Sequence, residues 1–328
     1  MNIELLIQDS KTCTVWDISE VTTTIKYTTY LEGNPGKLEI SMIEDPAKMF
    51  GEGSNVRFKL DGVGVFFGYV FTRERSNTGK LSLTCYDQLR YLKNKDTAVF
   101  TGLTATQMFE RICSAQQFEH RVTTATSYAL PPKVYDNKSY YEMLQDGMDL
   151  TLVNAGQWVL MRDNFGVLEM GTIEDRATTF VIGDAEQLTG YTFKSSIDSD
   201  TYNRIKLSQE VTSEDGETKQ RQVYVVYDSE TEAHWGTLQY YDKVDENANA
   251  AQIRQRAEIL LELKNRPTHT IKLTCMGNIA ITAGSSVYVD IAALDNEDTQ
   301  NRKFALVNEC THTISNDKHT MVLGIEVV

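Results

Sequence analysis

Short runs in which apolar and polar residues alternate dominate the first ninety positions of the chain. Turn signals such as GNPG and DG separate these runs, and alternation with a period of two is the pattern of a strand with one buried face. The runs are IELLIQ, VTTTIKYTTY, KLEISMIE, NVRFKL, GVFFGYVF and KLSLTCYD. Short strands at this spacing predict a small β-barrel or sandwich.

The following segment, TATQMFERICSAQQF, replaces the alternation with a helical period. Thr104 followed three residues later by Gln107 is a capping-box pattern, which marks the start of a helix. Met108, Ile112 and Ala115 then recur at the spacing of one helical face. The pattern predicts an amphipathic helix that packs against a neighbouring element.

A second capping box, Ser139 with Glu142, precedes another helical segment after the two prolines of the ALPPK stretch. The segment QWVLMRDNFGVLEMG then predicts a hairpin that turns between Asp163 and Gly166. Residues 96–190 therefore read as a mixed α+β section.

Strands dominate again from Tyr191, interrupted by one predicted helix from roughly Glu246 to Lys264 that ends before Pro267. The segment TSEDGETKQRQ is polar and predicts a hairpin loop, with disorder as the alternative. The apolar stripe of the helix consists of Ala250, Ile253, Ala257, Leu260 and Leu261.

With 328 residues and a mass of 37.1 kDa, the chain exceeds the usual size of one domain. We predict an α+β fold that is predominantly β, in which two similar small tube-like β-barrels flank an α+β section. The expected domains are a first barrel at 1–95, the α+β domain at 96–190, and a second barrel at 191–328 that carries one helix near 246–264.

Three segments of the first β region recur in the same order near the end of the chain. KLEISM, GSNVRF and SNTGKLSL are matched by TIKLTCM, GSSVYV and SNDKHTMVL. The matched pairs are Leu38/Ile271, Ile40/Leu273, Gly53/Gly284, Ser54/Ser285, Val56/Val287, Phe66/Phe304 and the turns Ser76-Asn77/Ser315-Asn316. Chance convergence of strand patterns is the alternative, but the shared order favours duplication. A trimer of such a chain would present six similar units in a ring.

The charge balance narrows the possible partners. The formal net charge is -14, which would repel a polyphosphate and argues against nucleic-acid binding. The N-terminus has no basic leader, and the longest apolar run, Val63 to Phe71, is too short for a bilayer, so we expect no membrane partner. Five scattered cysteines without a CxxC pair are expected to be reduced.

The segment VNECTHTISNDKHTM holds the most reactive side chains, Cys310, His312, Asp317 and His319. If Asn316 and Asp317 form a hairpin turn, the thiol and both imidazoles lie on one mainly apolar face while the carboxylate stays in the turn. Zinc needs three or four ligands, and two diagonal histidines are too few. We therefore predict local packing and no metal or cofactor.

The remaining candidate chemistry has a structural explanation that we favour. Asp198 and Asp200 could be paired carboxylates of a glycosidase, but Asp and Ser before a strand are common in turns. Gly62–Gly64 lies in a predicted hairpin without the strand-to-helix context of a phosphate loop. Asn137 begins an NKS glycosylation pattern that has no secretory route here. We predict no catalytic residue.

The same sequence resembles a known family over nearly its whole length. The most specific parts, YDQLRYLKNKDT and SIDSDTYNRIKL, together with GKLEISMIED and GQWVLMRDNFGVLEM, resemble the XkdQ/YqbQ-type tail proteins of prophages and prophage-derived particles. The closing AGSSVYVDI and ECTHTISNDKHTMVLGIE are similar to the end of hub proteins of contractile tails.

The resemblance implies a non-enzymatic, homotrimeric baseplate hub that joins the hexameric tail tube to a central spike. Its partners would be the tube, the spike, other baseplate proteins and the tape-measure protein. Its place would be the baseplate of a virion or tail-like particle assembled in the host cytoplasm. The alternatives are a tail-associated peptidoglycan hydrolase and a receptor-binding module.

Overall fold

A computed structural model describes residues 1–183, 187–212, 219–244, 249–291, 304–315 and 317–327. The chain forms two compact units. The first consists of Met1–Thr192 and Ile271–Glu326, and the second is built on Phe193–Thr270. In the described ranges strands predominate over helices, as the sequence predicts. No described helix is long and apolar enough to cross a membrane.

The first β region contains all six strands that the alternating pattern predicts. On the fourth strand, for example, Leu38, Ile40 and Met42 are buried because every second side chain faces the core. The six predicted strands are β1 (Ile3–Gln8), β3 (Thr22–Tyr30), β4 (Lys37–Ile43), β5 (Asn55–Leu60), β6 (Val63–Arg75) and β7 (Lys80–Tyr86), and the sequence pattern missed the short strand β2 (Val15–Asp17).

The middle of the chain holds the two predicted helices, and both capping boxes are present. The predicted face of the first helix is partly wrong, because Phe109 and Cys113 are buried whereas Ala115 is exposed. The elements are a 3-10 helix (Gln88–Lys93), β8 (Lys95–Phe100), α1 (Ala105–Ala115), β9 (His120–Val122), β10 (Lys133–Ser139), α2 (Tyr140–Ala155), β11 (Val159–Asn164), β12 (Val167–Thr172), a 3-10 helix (Ile173–Arg176) and β13 (Ala177–Gly183).

Most of the elements that follow belong to the second unit. They are β14 (Leu188–Ser196), which continues into it from the first unit, β15 (Arg204–Thr212), β16 (Lys219–Tyr227), α3 (Ser229–Trp235), β17 (Gln239–Val244) and α4 (Ala250–Lys264). β15 and β16 form the predicted antiparallel hairpin, whose connecting residues 213–218 lie outside the described ranges.

The helix α4 packs on the sheet of the second unit through Ile253 and Ala257. Leu260 and Leu261 are partly buried on this face, but Ala250 is exposed, so that part of the predicted stripe is wrong. The helix is capped by Asn249, whose side chain accepts a hydrogen bond from the third helical residue. The predicted start near residue 246 lies outside the described ranges.

The chain returns to the first unit through β18 (Thr268–Met276), β19 (Ser286–Asp290), β20 (Phe304–Ser315) and β21 (Lys318–Val327). These strands join those of the first β region in one sheet of thirteen strands, because β20 pairs with β3. No pairing closes the described strands into a barrel, so the two-barrel arrangement stays a prediction.

The two β regions place their strands in the same order. In the first, the order is β3-β4-β7-β6-β5-β1, and in the second it is β14-β18-β21-β20-β19-β13. The outermost strands differ in direction, since β1 is antiparallel to β5 whereas β13 is parallel to β19. The shared order over six strands supports the duplication inferred from the sequence.

Backbone geometry at two glycines supports the duplication further. Gly53 and Gly284 have φ of 80° and 83°, a conformation that glycine adopts without steric cost. In the first copy, the Gly53 N–H donates to the carbonyl of Val70 on β6 at 2.7 Å. In the second copy, the Gly284 N–H donates to the carbonyl of Val307 on β20 at 2.8 Å. In both, the hydroxyl of the following serine accepts from the residue three positions earlier, at 3.2 and 3.3 Å.

The structure corrects the sequence alignment at two points. Strand register matches Phe304 with Phe67 and not with Phe66, because Tyr288 faces Phe304 as Arg57 faces Phe67. Each long strand then has an irregularity directly after the matched valine, and the hairpin of the second copy extends further before it turns. The two turns therefore correspond in position along the fold but not residue by residue.

Candidate functional site

The C-terminal hairpin has the register that the sequence predicts. His312 faces Met321 and Ile314 faces His319 across β20 and β21. Cys310 and His312 are fully buried, while His319 is partly exposed. The thiol and the two imidazoles thus come together on the inner face of the sheet, as expected.

Hydrogen bonds determine how the two imidazoles share their protons. His312 Nε2 lies 2.8 Å from the carbonyl oxygen of Ile281, which can only accept, so this nitrogen is the donor. His312 Nδ1 is therefore the acceptor, and it receives the Nε2–H of His319 at 3.0 Å. The Cys310 thiol approaches the same Ile281 carbonyl at 3.4 Å. Both ring nitrogens of the buried histidine already have partners.

Burial keeps these groups uncharged. It lowers the pKa of His312 to about 4 and also lowers the pKa of His319, while it raises the pKa of the Cys310 thiol. In the part of the chain that the structure describes, no three His, Cys, Asp or Glu side chains are arranged to hold a metal ion, and Asp317 lies exposed in the turn. The cluster can act as a packed, neutral hydrogen-bond relay.

A glycine on the neighbouring strand end makes room for this arrangement. A Cβ atom at Gly277 would overlap the His319 ring, and the Gly277 N–H donates to the His319 carbonyl at 2.9 Å. His312 in turn stacks on Tyr27 of β3, with ring centroids 6.3 Å apart. The histidines therefore pack where the two β regions meet.

The candidate carboxylates Asp198 and Asp200 lie in an exposed bend of the second unit. Asp200 has φ of 57° and forms an ion pair with Lys264. The backbone N–H of Asp198 donates to the Ser196 hydroxyl at 3.2 Å. Both contacts are typical of a turn that leads into a strand.

Gly62–Gly64 lies in the β5–β6 hairpin, as predicted, where Asp61 and Gly62 form the turn with φ of 49° and 83°. Gly64 has a separate role, because its missing side chain leaves room for the ring of Phe165. A Cβ there would lie 2.7 Å from that ring. Asn137, the candidate glycosylation residue, lies at an irregularity of β10 with φ of 52°.

Sequence reasoning missed a pair of carboxyls, one buried and one partly buried, at the junction of the first β region and the middle section. Asp87 accepts the N–H groups of Gly36 and Leu89 at 2.8 and 3.0 Å. Asp163 accepts those of Gly166 and Gln88 at 2.6 and 3.1 Å. The two side chains tie the β11–β12 hairpin, with Phe165 at its tip, to the end of β7.

Burial and the charge of Asp163 raise the pKa of Asp87 well above its usual range, and burial also raises the pKa of Asp163. Both line a cavity of about 180 Å³ with Tyr27 and Arg176. Burial lowers the pKa of Arg176 to about 10, and its guanidinium donates to the Thr282 hydroxyl. The two carboxyls thus serve as backbone caps at the edge of this cavity.

The sequence contains only a weak signal for this pair. Asp87 stands directly before a helical turn, where an aspartate is a common cap, and Asp163 begins a hairpin turn. Each is explained locally, and only the tertiary structure shows that they face one cavity from positions 76 residues apart in sequence, 87 and 163.

The architecture is one that phage tail proteins adopt. The chain is similar to the crystal structure of the 43 kDa tail protein of prophage MuSo2 from Shewanella oneidensis, with a TM-score of 0.69 over 99% of this chain and 98% of that one. The two sequences are 15% identical, so the likeness concerns the fold.

The sequence defines the relationship more narrowly. A family model described as YQBQ-like matches residues 25–326, and the chain belongs to this family. XkdQ of the phage-like element PBSX from Bacillus subtilis strain 168 is 28% identical over 277 residues, covering 84% of this chain and 81% of XkdQ. The uncharacterized protein YqbQ of the same strain is 27% identical over 279 residues, with the same coverage. The resemblance to XkdQ/YqbQ-type proteins is confirmed.

Proposed function

We propose that the protein is a structural component of the baseplate of a contractile phage tail or tail-like particle. In this role three copies form a ring that adapts the hexameric tail tube to the central spike. The observation that carries the proposal is the duplicated six-strand unit, because three chains with two units each present six similar units to a sixfold partner.

Family membership supports the tail role. XkdQ is a protein of a phage-like element, and the solved structure with the same fold is a prophage tail protein. Only the second of these names is that of a tail component, and the chain is aligned with each protein over most of its length. We extend this to a location in the baseplate of the assembled particle.

The finer architecture is also part of the proposal. The two β regions would each form a tube-like barrel in the assembled ring, with the section at 96–190 between them. The tube, the spike, the tape-measure protein and other baseplate proteins would be the partners. The excess of acidic over basic residues, 46 against 32, favours protein partners over nucleic acid.

Sedimentation of the purified protein, alone and mixed with the tail-tube protein of the same particle, tests the ring. We expect a trimer with a mass near three times 37.1 kDa, and a larger complex with the tube protein. Electron microscopy of the complex should show a ring with threefold symmetry. A stable monomer that binds neither tube nor spike would contradict the proposal.

We further propose that the role is not enzymatic, in contrast to a tail-associated hydrolase. Purified peptidoglycan should stay intact when incubated with the protein. Cleavage that disappears in Asp198→Asn or Asp200→Asn would instead favour the hydrolase. A matched control is Asp317→Asn, which changes an exposed turn carboxylate elsewhere in the chain.

A further inference from the structure

In the second copy of the repeat, the long strand β20 uses both of its edges. Its first part pairs with β19 on one side, through Ser286 opposite Leu306. Beyond the irregularity, Glu309–Ser315 pairs on that side with β3 of the first copy. The second copy thus receives a strand from the first copy along this edge.

The same edge is unoccupied in the first copy. β6 pairs with β5 up to Tyr69, and after its own irregularity Thr72–Arg75 pairs with β7 on one side only. No described strand lies along the other side. Glu74 and Arg75 are exposed there. An unpaired strand edge of this kind can accept a further strand.

The strand that would fill this edge by analogy is the counterpart of β3, which is β14. Thr23 of β3 donates its hydroxyl to the Ser41 carbonyl at 2.9 Å, and Thr189 of β14 donates to the Thr274 carbonyl at the same distance. Ser41 and Thr274 are matched positions of the repeat. β14 is the last strand of the described sheet, so its outer edge is also unpaired there.

We propose that β14 of a second copy of this chain pairs antiparallel with Thr72–Arg75 of β6. The inference rests on the proposed trimeric ring and names the contact that closes it. Transfer of the β3–β20 register places Lys194 of the second copy opposite Glu74, and Phe193 opposite Arg75.

The side chains at these positions are complementary. Within the chain, Thr28 of β3 faces Thr311 of β20 with their hydroxyls 3.1 Å apart. In the proposed contact between copies, Lys194 takes the place of Thr28 and Glu74 takes the place of Thr311. An ion pair therefore replaces a hydrogen bond. In the described part of the chain neither Lys194 nor Glu74 has an ion-pair partner of its own. Opposite charges that face each other across strands stabilise the pairing.

The next position repeats this complementarity. Tyr27 and His312 stack within the chain, and their counterparts between copies are Phe193 and Arg75. The Arg75 guanidinium already forms an ion pair with Glu44, and an aromatic ring next to it would add a favourable cation–π contact. Each chain offers one free β6 edge and one β14 edge, so the contact is head-to-tail and can close into a ring.

Cysteine cross-linking tests the register directly. Directly opposed residues on antiparallel strands have Cα atoms about 4.5–5.5 Å apart, which a disulfide can span. In a Cys13→Ser background, which removes the one exposed cysteine, Glu74→Cys with Lys194→Cys should give covalent dimers and trimers on oxidation. The control pair Glu74→Cys with Tyr191→Cys is out of register and should give none.

A charge exchange tests the same contact without cross-linking. Glu74→Lys or Lys194→Glu alone should raise the concentration needed for trimer assembly by roughly tenfold, because three interfaces each gain a like-charge pair. The double exchange should restore assembly. A trimer that neither cross-links at this pair nor recovers in the double exchange would refute the pairing and leave the hub intact. A protein that is monomeric at every concentration would refute both.

Discussion

Acid should weaken the first unit because of one buried side chain, His312. The ring is fully buried, donates to the Ile281 carbonyl and accepts from His319. Protonation would place a second N–H against the Nε2–H of His319 and a charge at a site where no carboxylate of the described residues lies in contact. The folded state therefore takes up this proton only at low pH, whereas the unfolded chain takes it up near pH 6.5.

The magnitude follows from the two pKa values. With a folded pKa of about 4 and an unfolded value of 6.5, the unfolded state binds more protons below pH 6.5, so stability falls with the pH through this window. The contribution of His312 is fully present above pH 6.5. Between pH 7.5 and pH 5.0 this group alone should lower the free energy of unfolding by about 2 kcal/mol.

Denaturant unfolding followed by tryptophan fluorescence can measure this loss. Trp16 and Trp158 lie in the first unit and Trp235 in the second, so a Trp235→Phe background reports on the first unit alone. His312→Gln keeps a donor and an acceptor at the site but does not titrate. The difference in unfolding free energy between the two pH values should shrink by about 2 kcal/mol in this variant.

Met321→Ala is the matched control, because Met321 is buried directly opposite His312 and has no titratable group. It should lower the stability by about 2–5 kcal/mol at both pH values and leave the pH dependence unchanged. Equal pH dependence in the starting protein and in His312→Gln would refute the reasoning, since the buried imidazole would then not control acid sensitivity.

Three further predictions concern the junction, a helix cap and metal binding. Gly64→Ala should destabilise the first unit by about 1–3 kcal/mol in thermal unfolding, because its Cβ would lie 2.7 Å from the Phe165 ring, whereas Val63→Ala at an exposed neighbour should have little effect. Ser139→Ala should lower the free energy of unfolding by about 1 kcal/mol in denaturant unfolding, because the Ser139 hydroxyl caps α2. The control is Ser114→Ala on the exposed surface of α1, and equal effects of the two substitutions would contradict a capping role. Elemental analysis of the purified protein should find no stoichiometric zinc, because both nitrogens of His312 have partners; zinc that is lost in His312→Gln would show the opposite.

Local patterns were sufficient for six strands of the first β region and for the starts of the two helices of the middle section. The alternation of Leu38, Ile40 and Met42 identifies a strand, and the capping boxes at Thr104 and Ser139 mark the helix starts, because these signals involve residues within a few positions of each other. The error at Ala115 shows the limit of such patterns: helical spacing gives a candidate face, but the neighbouring elements decide which residues are covered.

The pairing of distant strands could not be derived in the same way. Sequence order suggested two separate barrels, whereas the structure joins the two β regions through β3 and β20. The alignment of Phe304 with Phe67 likewise depends on strand register, which a one-residue irregularity shifts without leaving a signal in the sequence.

The sequence by itself determined the main strands of the first β region, the helix caps and the hairpin that carries Cys310, His312 and His319, and it suggested the duplication. Only the tertiary structure decided what those side chains contact, and it brought Asp87 and Asp163 to one cavity. The physical reason is that secondary structure depends on short-range periodicity and hydrogen bonding. Burial, and with it the pKa of a carboxyl or an imidazole, depends on which distant segments pack around it.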